Sequence, residues 1–266
     1  MSTCSTSHKE EHSIITADGL TLGATLTHKK TEEVIIICHG MLDTRRSNAV
    51  NSLTNLLPYS SLAFDFRGNG DSEGRTRYGN YYEEVEDLRA VIEYARNVLK
   101  FTVNCIIGHS KGGSVVLLYG SKYNDIPLIV NISARYFLDH TPIRRFGSEN
   151  LSLLEKQGWF VWKKYGLEME REYIISNEDL QERFTTDMSK AKPSPKSKIR
   201  YLTIHGDSDK VVPVDDALEY HKLLGPEPRH ELIIQKGATH FFNSETEQRE
   251  LSSTIIHWIT RVHPHL

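Results

Sequence analysis

Gly108-His109-Ser110-Lys111-Gly112 puts a serine between two glycines at a spacing that suits nucleophilic catalysis. The pattern alone also arises in ordinary glycine turns, so its flanks decide. Val103 to Ile107 is a short apolar, β-branched run that reads as a buried strand. Gly113 to Tyr119 reads as the first turns of a buried helix. A sharp strand-to-helix turn would strain the backbone at Ser110 and push its hydroxyl out of the sheet. The helix N-terminus would add a free backbone N–H and a positive dipole end, both suited to a developing oxyanion.

A serine alcohol needs a base within hydrogen-bond reach, and the base needs an orienting acid. In a parallel sheet, loops at the C-terminal ends of the strands meet at one edge, so partners should follow later strands. Two loops qualify. His205-Gly206-Asp207-Ser208-Asp209 follows the apolar run ending at Ile204, and Gly237-Ala238-Thr239-His240 follows the run ending at Ile234. Either Asp207 or Asp209 could serve His240.

The elements that must position these residues follow from periodicity. Residues 12 to 27 read as a β-hairpin turning at Asp18-Gly19. Strands are expected at 34–38, 61–65, 103–107, 127–132, 200–204 and 231–234. Helices are expected at 47–57, 81–99, after Ser110, at 215–224 and at 245–262. Strands alternating with helices predict an α/β fold: a doubly wound, mostly parallel sheet covered on both faces. The alternation stops between Ala134 and Lys198. This aromatic, charged stretch is too long for an ordinary loop and predicts a helical cap insertion over about 135–197. Its aromatics, Trp159, Trp162 and Tyr165 among them, either form the insertion's own core or line an acyl or aryl pocket.

Composition narrows the rest. A length of 266 residues with 38% hydrophobic and 25% charged residues fits one ordinary α/β domain. A net charge of -3, without a long basic run, argues against nucleic acid as a partner. The short pairs Arg144-Arg145 and Lys163-Lys164 read as solvated. There is no apolar run long enough for a membrane span and no apolar leader-like start. Cys4, Cys38 and Cys105 do not make a disulfide framework, and a cytoplasmic location is expected. The histidines lack metal-ligand spacing, and Gly68-Asn69-Gly70 lacks the third glycine of a dinucleotide fingerprint. No metal or cofactor is expected. His39, His109 and His205 read as holding loops.

Together these motifs resemble the α/β-hydrolase-fold serine hydrolases. The resemblance rests on His39-Gly40, Asp65-Phe66-Arg67-Gly68-Asn69-Gly70-Asp71-Ser72, Gly108 to Gly112, the Gly-x-x-Asp-x-x-Val-Pro run from Gly206 to Pro213, and Gly237 to His240. It covers nearly the whole chain outside the insertion, and is strongest toward the cinnamoyl/feruloyl esterase-like and monoglyceride-lipase-like branches. It implies Ser110 as nucleophile, His240 as base and then acid, and Asp209, favoured over Asp207 by the family spacing, as the orienting acid. It implies an oxyanion hole from the backbone N–H groups of Met41 and Lys111. Lys111 departs from the usual neutral residue there; its ammonium is expected to reach solvent or a surface carboxylate, with contact to an anionic substrate as the sharper alternative. The implied activity is hydrolysis of a small-molecule carboxylic ester through an acyl-enzyme, without a cofactor. The same triad would also serve an acyltransferase or a thioester or C–C hydrolase, and the fold could serve a non-catalytic binding protein.

Overall fold

The computed structural model describes residues 8–29, 31–141, 143–165 and 170–264. It opens with the expected hairpin, β1 (Lys9–Ile15) and β2 (Thr21–Thr27), turning through Gly19. Then follow β3 (Glu33–Cys38), α1 (Asn48–Leu56), β4 (Ser60–Phe64), α2 (Tyr81–Asn97), β5 (Thr102–His109), α3 (Lys111–Tyr123) and β6 (Leu128–Ile132). The inserted segment carries α4 (Gly147–Gln157), β7 (Trp159–Tyr165), β8 (Glu170–Ser176) and α5 (Asn177–Thr185). The chain closes with β9 (Arg200–Gly206), α6 (Val214–Leu224), β10 (His230–Gln235) and α7 (Glu245–Val262).

Eight strands form one sheet in the order β1-β2-β4-β3-β5-β6-β9-β10. From β4 to β10 all neighbours are parallel; only β1 and β2 run antiparallel to their neighbours. The inner strands are apolar because both of their faces are covered. On one face α2 and α3 supply Leu88, Val91, Ile92, Val115 and Tyr119 to the core. On the other, α1 and α7 supply Val50, Leu53, Leu251, Ile255 and Trp258. The chain order reverses at β3, which lies between β4 and β5, so the crevice of this sheet opens at the C-terminal ends of β3 and β5.

The insertion corrects one expectation. It is not purely helical, because β7 and β8 pair as an antiparallel hairpin. Phe160 and Ile175 point inward and are buried, while Trp159, Val161 and Ile174 are exposed. Phe146, Leu154, Phe160, Ile175 and Leu180 pack with Tyr78, which comes from the loop before α2. Gly79 lies against the α5 backbone so closely that a Cβ there would stand 2.6 Å from the Arg183 nitrogen. Ion pairs Arg75–Asp179 and Arg77–Glu182, both 3.2 Å, close the same seam.

Cys38 and Cys105 are free and buried, and burial pushes both thiols up. Cys4 and the side chains of Lys163, Lys164 and Tyr165 lie outside the described residues. Among the described residues no helix is long and apolar enough to cross a membrane, and no group of His, Cys, Asp and Glu could hold a metal ion.

Candidate active site

Ser110 sits between β5 and α3 with φ 54° and ψ -116°, a backbone conformation that a side-chain-bearing residue rarely adopts. The surroundings enforce it. A Cβ on Gly108 would lie 2.2 Å from the Gly112 oxygen, and one on Gly112 would lie 2.4 Å from the His39 oxygen. Only glycines let β5, α3 and the end of β3 approach this closely. The Ser110 N–H donates to the Ile132 oxygen at 2.8 Å, which anchors the turn on β6.

The structure brings Ser110, His240 and Asp209 together. His240 Nε2 lies 3.0 Å from Ser110 Oγ, and His240 Nδ1 lies 2.7 Å from Asp209 Oδ2. Asp209 Oδ1 accepts the N–H groups of Val211 and Val212, each at 2.8 Å. Burial alone would raise the Asp209 carboxyl, but the bonds from His240 and these two amides outweigh it and hold Asp209 below its ordinary value. With Asp209 ionised, Nδ1 of His240 carries the proton and Nε2 faces the serine as an acceptor.

Asp207 has a different place. It is exposed, and its carboxylate accepts the Gly237 N–H at 2.6 Å, tying the loop after β9 to the loop that carries His240. The three expected loop-holding histidines do hold loops. His39 Nδ1 donates to the Gly40 oxygen at 2.8 Å, and its Nε2 accepts the Phe66 N–H at 3.0 Å. His109 Nε2 donates to the His240 oxygen at 2.7 Å, and His205 Nε2 donates to the Val212 oxygen at 3.0 Å. Burial and the His240 imidazole push His109 down to about 4, so it is neutral.

Gly40 stands beside the serine, since a Cβ on it would lie 3.2 Å from Ser110 Cβ. Met41 follows directly, and its side chain packs on the aromatic cluster of the insertion. Lys111 opens α3, where a backbone N–H has no intrahelical acceptor. Its side chain corrects the expectation of solvent or a surface carboxylate in one respect: the carboxylate it reaches is buried. Nζ is buried, 2.6 Å from Glu84 Oε1 and 2.6 Å from Asn80 Oδ1, and donates to the Arg77 oxygen at 3.2 Å. Burial pushes Glu84 up to about 7 against the pull of Lys111, and pushes Lys111 down.

Sequence reasoning misses two supports of this site. The first is the Glu84–Asn80 receptor for Lys111. The second is Glu247, whose Oε1 accepts the Thr239 N–H at 2.6 Å and the Thr239 hydroxyl at 2.8 Å, steadying the residue before His240. Ser244-x-x-Glu247 is legible as a helix-capping box, which the structure contains, but that pattern does not disclose the second task.

The family model described as serine aminopeptidase, S33, matches residues 29–193. The chain belongs to the serine aminopeptidase S33 family. It is a serine hydrolase of the α/β-hydrolase fold. The prolyl oligopeptidase family model also matches, over residues 153–264. The quorum-quenching protein AidA of Acinetobacter baumannii is 32% identical over 113 residues, 39% of this chain and 37% of that protein. The monoacylglycerol lipase of Mycolicibacterium smegmatis is 29% identical over 121 residues, 44% of this chain and 43% of that protein. The chain thus spans about two-fifths of the length of these curated relatives. Among solved structures, the esterase Pf2001 of Pyrococcus furiosus aligns with a TM-score of 0.73 at 21% identity, covering 96% of this chain and 90% of that one. Est1E of Butyrivibrio proteoclasticus, solved with ferulic acid, aligns with a TM-score of 0.72 at 20% identity, covering 93% and 98%. These structural likenesses establish the fold.

Proposed function

We propose that this hydrolase cleaves carboxylic esters through an acyl-enzyme on Ser110. The observation that carries the reading is the relay Ser110–His240–Asp209, with spacings of 3.0 and 2.7 Å. His240 takes the proton as Ser110 Oγ attacks the ester carbonyl, and Asp209 steadies the imidazolium that forms. The N–H groups of Met41 and Lys111 receive the oxyanion. His240 then protonates the leaving alcohol, the acyl group stays on Ser110, and His240 activates the water that releases it.

An ester rather than an amide fits the names of the relatives, which include a lipase and esterases. Residues 135–197 would act as a cap that sets which acyl or aryl group reaches the serine. Labelling by a fluorophosphonate and turnover of a panel of 4-nitrophenyl esters, varied in acyl length and aromaticity, test the reading. Wild type should label and turn over esters, and Ser110→Ala should do neither. Labelling that persists in Ser110→Ala would sink it.

A further inference from the structure

Cations crowd the seam between the cap and the loop before α2, and most have a carboxylate. Lys111 has Glu84 at 2.6 Å, Arg77 has Glu83 at 2.9 Å and Glu182 at 3.2 Å, and Arg75 has Asp179 at 3.2 Å. Arg183 and Arg145 differ. Arg183 is 5% exposed, donates to the Thr141 hydroxyl at 2.7 Å and to the Tyr81 hydroxyl, and lies over the Tyr78 ring at 4.8 Å. Arg145, exposed as a residue, holds its guanidinium over Tyr78, Phe146 and Trp162 at 5.3, 5.6 and 5.2 Å. Among the described residues neither arginine has a carboxylate within ion-pair distance. Arg145 also makes no hydrogen bond to a described residue, and Arg183 Nη2 makes none.

Ring faces compensate a guanidinium only in part, and an unmatched interior charge is costly. Desolvation of the guanidinium and the charge of Arg183 push Arg145 down to about 10. The two guanidinium groups meet over one ring, Tyr78, and one of them opens to solvent. The place is also next to the chemistry. Met41, whose neighbour Gly40 abuts Ser110, packs on the cluster of Tyr78, Phe146 and Trp162. From the other side, Lys111 Nζ lies 5.1 Å from the centre of the Tyr81 ring, whose hydroxyl Arg183 holds.

We infer that this seam is a carboxylate subsite, so that the preferred ester carries a free carboxylate on its acyl or alcohol part, held by Arg183 and Arg145. The inference rests on Ser110 as the nucleophile. A planar guanidinium fork matches a carboxylate in shape as well as charge. The same field repels an ammonium, so a substrate with a free α-amino terminus, which an aminopeptidase needs, carries the wrong charge for this seam.

Matched probes test it. Mono-4-nitrophenyl esters of glutarate, adipate and suberate carry the anion, and their methyl esters are the neutral counterparts. In wild type, kcat/KM should be at least tenfold higher for the best anionic ester than for its neutral partner. Arg145→Met and Arg183→Met should each lower that ratio at least tenfold, chiefly through KM, and Arg145→Lys should restore part of it. Arg183 is buried and its loss can weaken the fold, so Arg145→Met decides if Arg183→Met does not fold. A wild-type ratio at or below one, or a ratio unmoved by Arg145→Met, overturns the subsite. Calorimetry separates this failure from failure of the esterase reading. Ser110→Ala should bind monomethyl adipate and not dimethyl adipate, and adding Arg145→Met should abolish that binding. If wild type turns over neither ester, the esterase reading fails and calorimetry alone judges the seam: anion-selective binding lost with Arg145 supports it, and equal or absent binding of the two compounds overturns it.

Discussion

The sheet edge and the seam of the inserted segment handle buried charge in different ways. At the edge three buried ionic groups have charged partners: Asp209 has His240 and two amides, Lys111 has Glu84, and Asp65 has Arg45, while Arg135 donates to the Val211 carbonyl. At the seam, Arg183 and Arg145 rest on rings and hydroxyls. A matched charge is already stabilised and serves to fix geometry. An unmatched one gains most when a ligand arrives. The difference predicts that substitutions at the edge damage rate or stability whatever the ester, while substitutions at the seam change which ester is chosen.

The strongest attempt to break that division is Ser110→Ala. It should lower kcat by about 10⁴- to 10⁶-fold on every ester, with the thermal midpoint kept within a few degrees. A loss confined to some esters would move the serine into the selective region. Next is Asp209→Asn, which should cost about 10⁴ in kcat, whereas Asp207→Asn should cost about tenfold or less, since Asp207 only joins two loops. Equal losses would show that Asp207 matters to the base as much as Asp209 does.

The Lys111–Glu84 pair sharpens the comparison through stability. Lys111→Met leaves Glu84 buried alone and should lower the unfolding free energy in urea by about 3–5 kcal/mol. Lys111→Met with Glu84→Leu should recover more than half of that. A single variant of unchanged stability would mean that the Lys111–Glu84 pair does not stabilise the edge.

A smaller effect comes from pH. His230 is buried against His221 and Thr203, and burial pushes it down to about 3. A histidine lowered on folding contributes stability that is present above about 6.5 and lost as pH falls toward 3, amounting to about 2 kcal/mol at pH 5. Thermal midpoints measured from pH 7 to pH 5 should fall less in His230→Gln than in wild type. Parallel curves would show that His230 does not carry the acid sensitivity.

Most of the frame is legible in the sequence because its signals are local. Val34 to Cys38 and Cys105 to Ile107 are continuous apolar runs ended by glycine-containing turns, and a strand covered on both faces leaves that trace. The juxtaposition of Ser110, Asp209 and His240 is legible because parallel strands bring their C-terminal loops to one edge. The hairpin of the inserted segment is not. In Trp159-Phe160-Val161-Trp162 the outward positions are as apolar as the inward ones, so no alternation separates the faces. Lys111 reads as reaching solvent or a surface carboxylate because its buried partner lies 27 positions earlier, where Glu84 looks like any acid in the first turn of a helix.

On the proposed mechanism, the bond from His109 Nε2 to the His240 oxygen would bear on the lifetime of an acylated Ser110. Once Oγ is esterified it no longer donates to the imidazole, and a base held by that contact alone would be released. Here its main chain is fastened to the residue just before the serine, and Asp209 still grips the far side of its ring. The base would therefore stay in station through the interval in which only water is to be admitted.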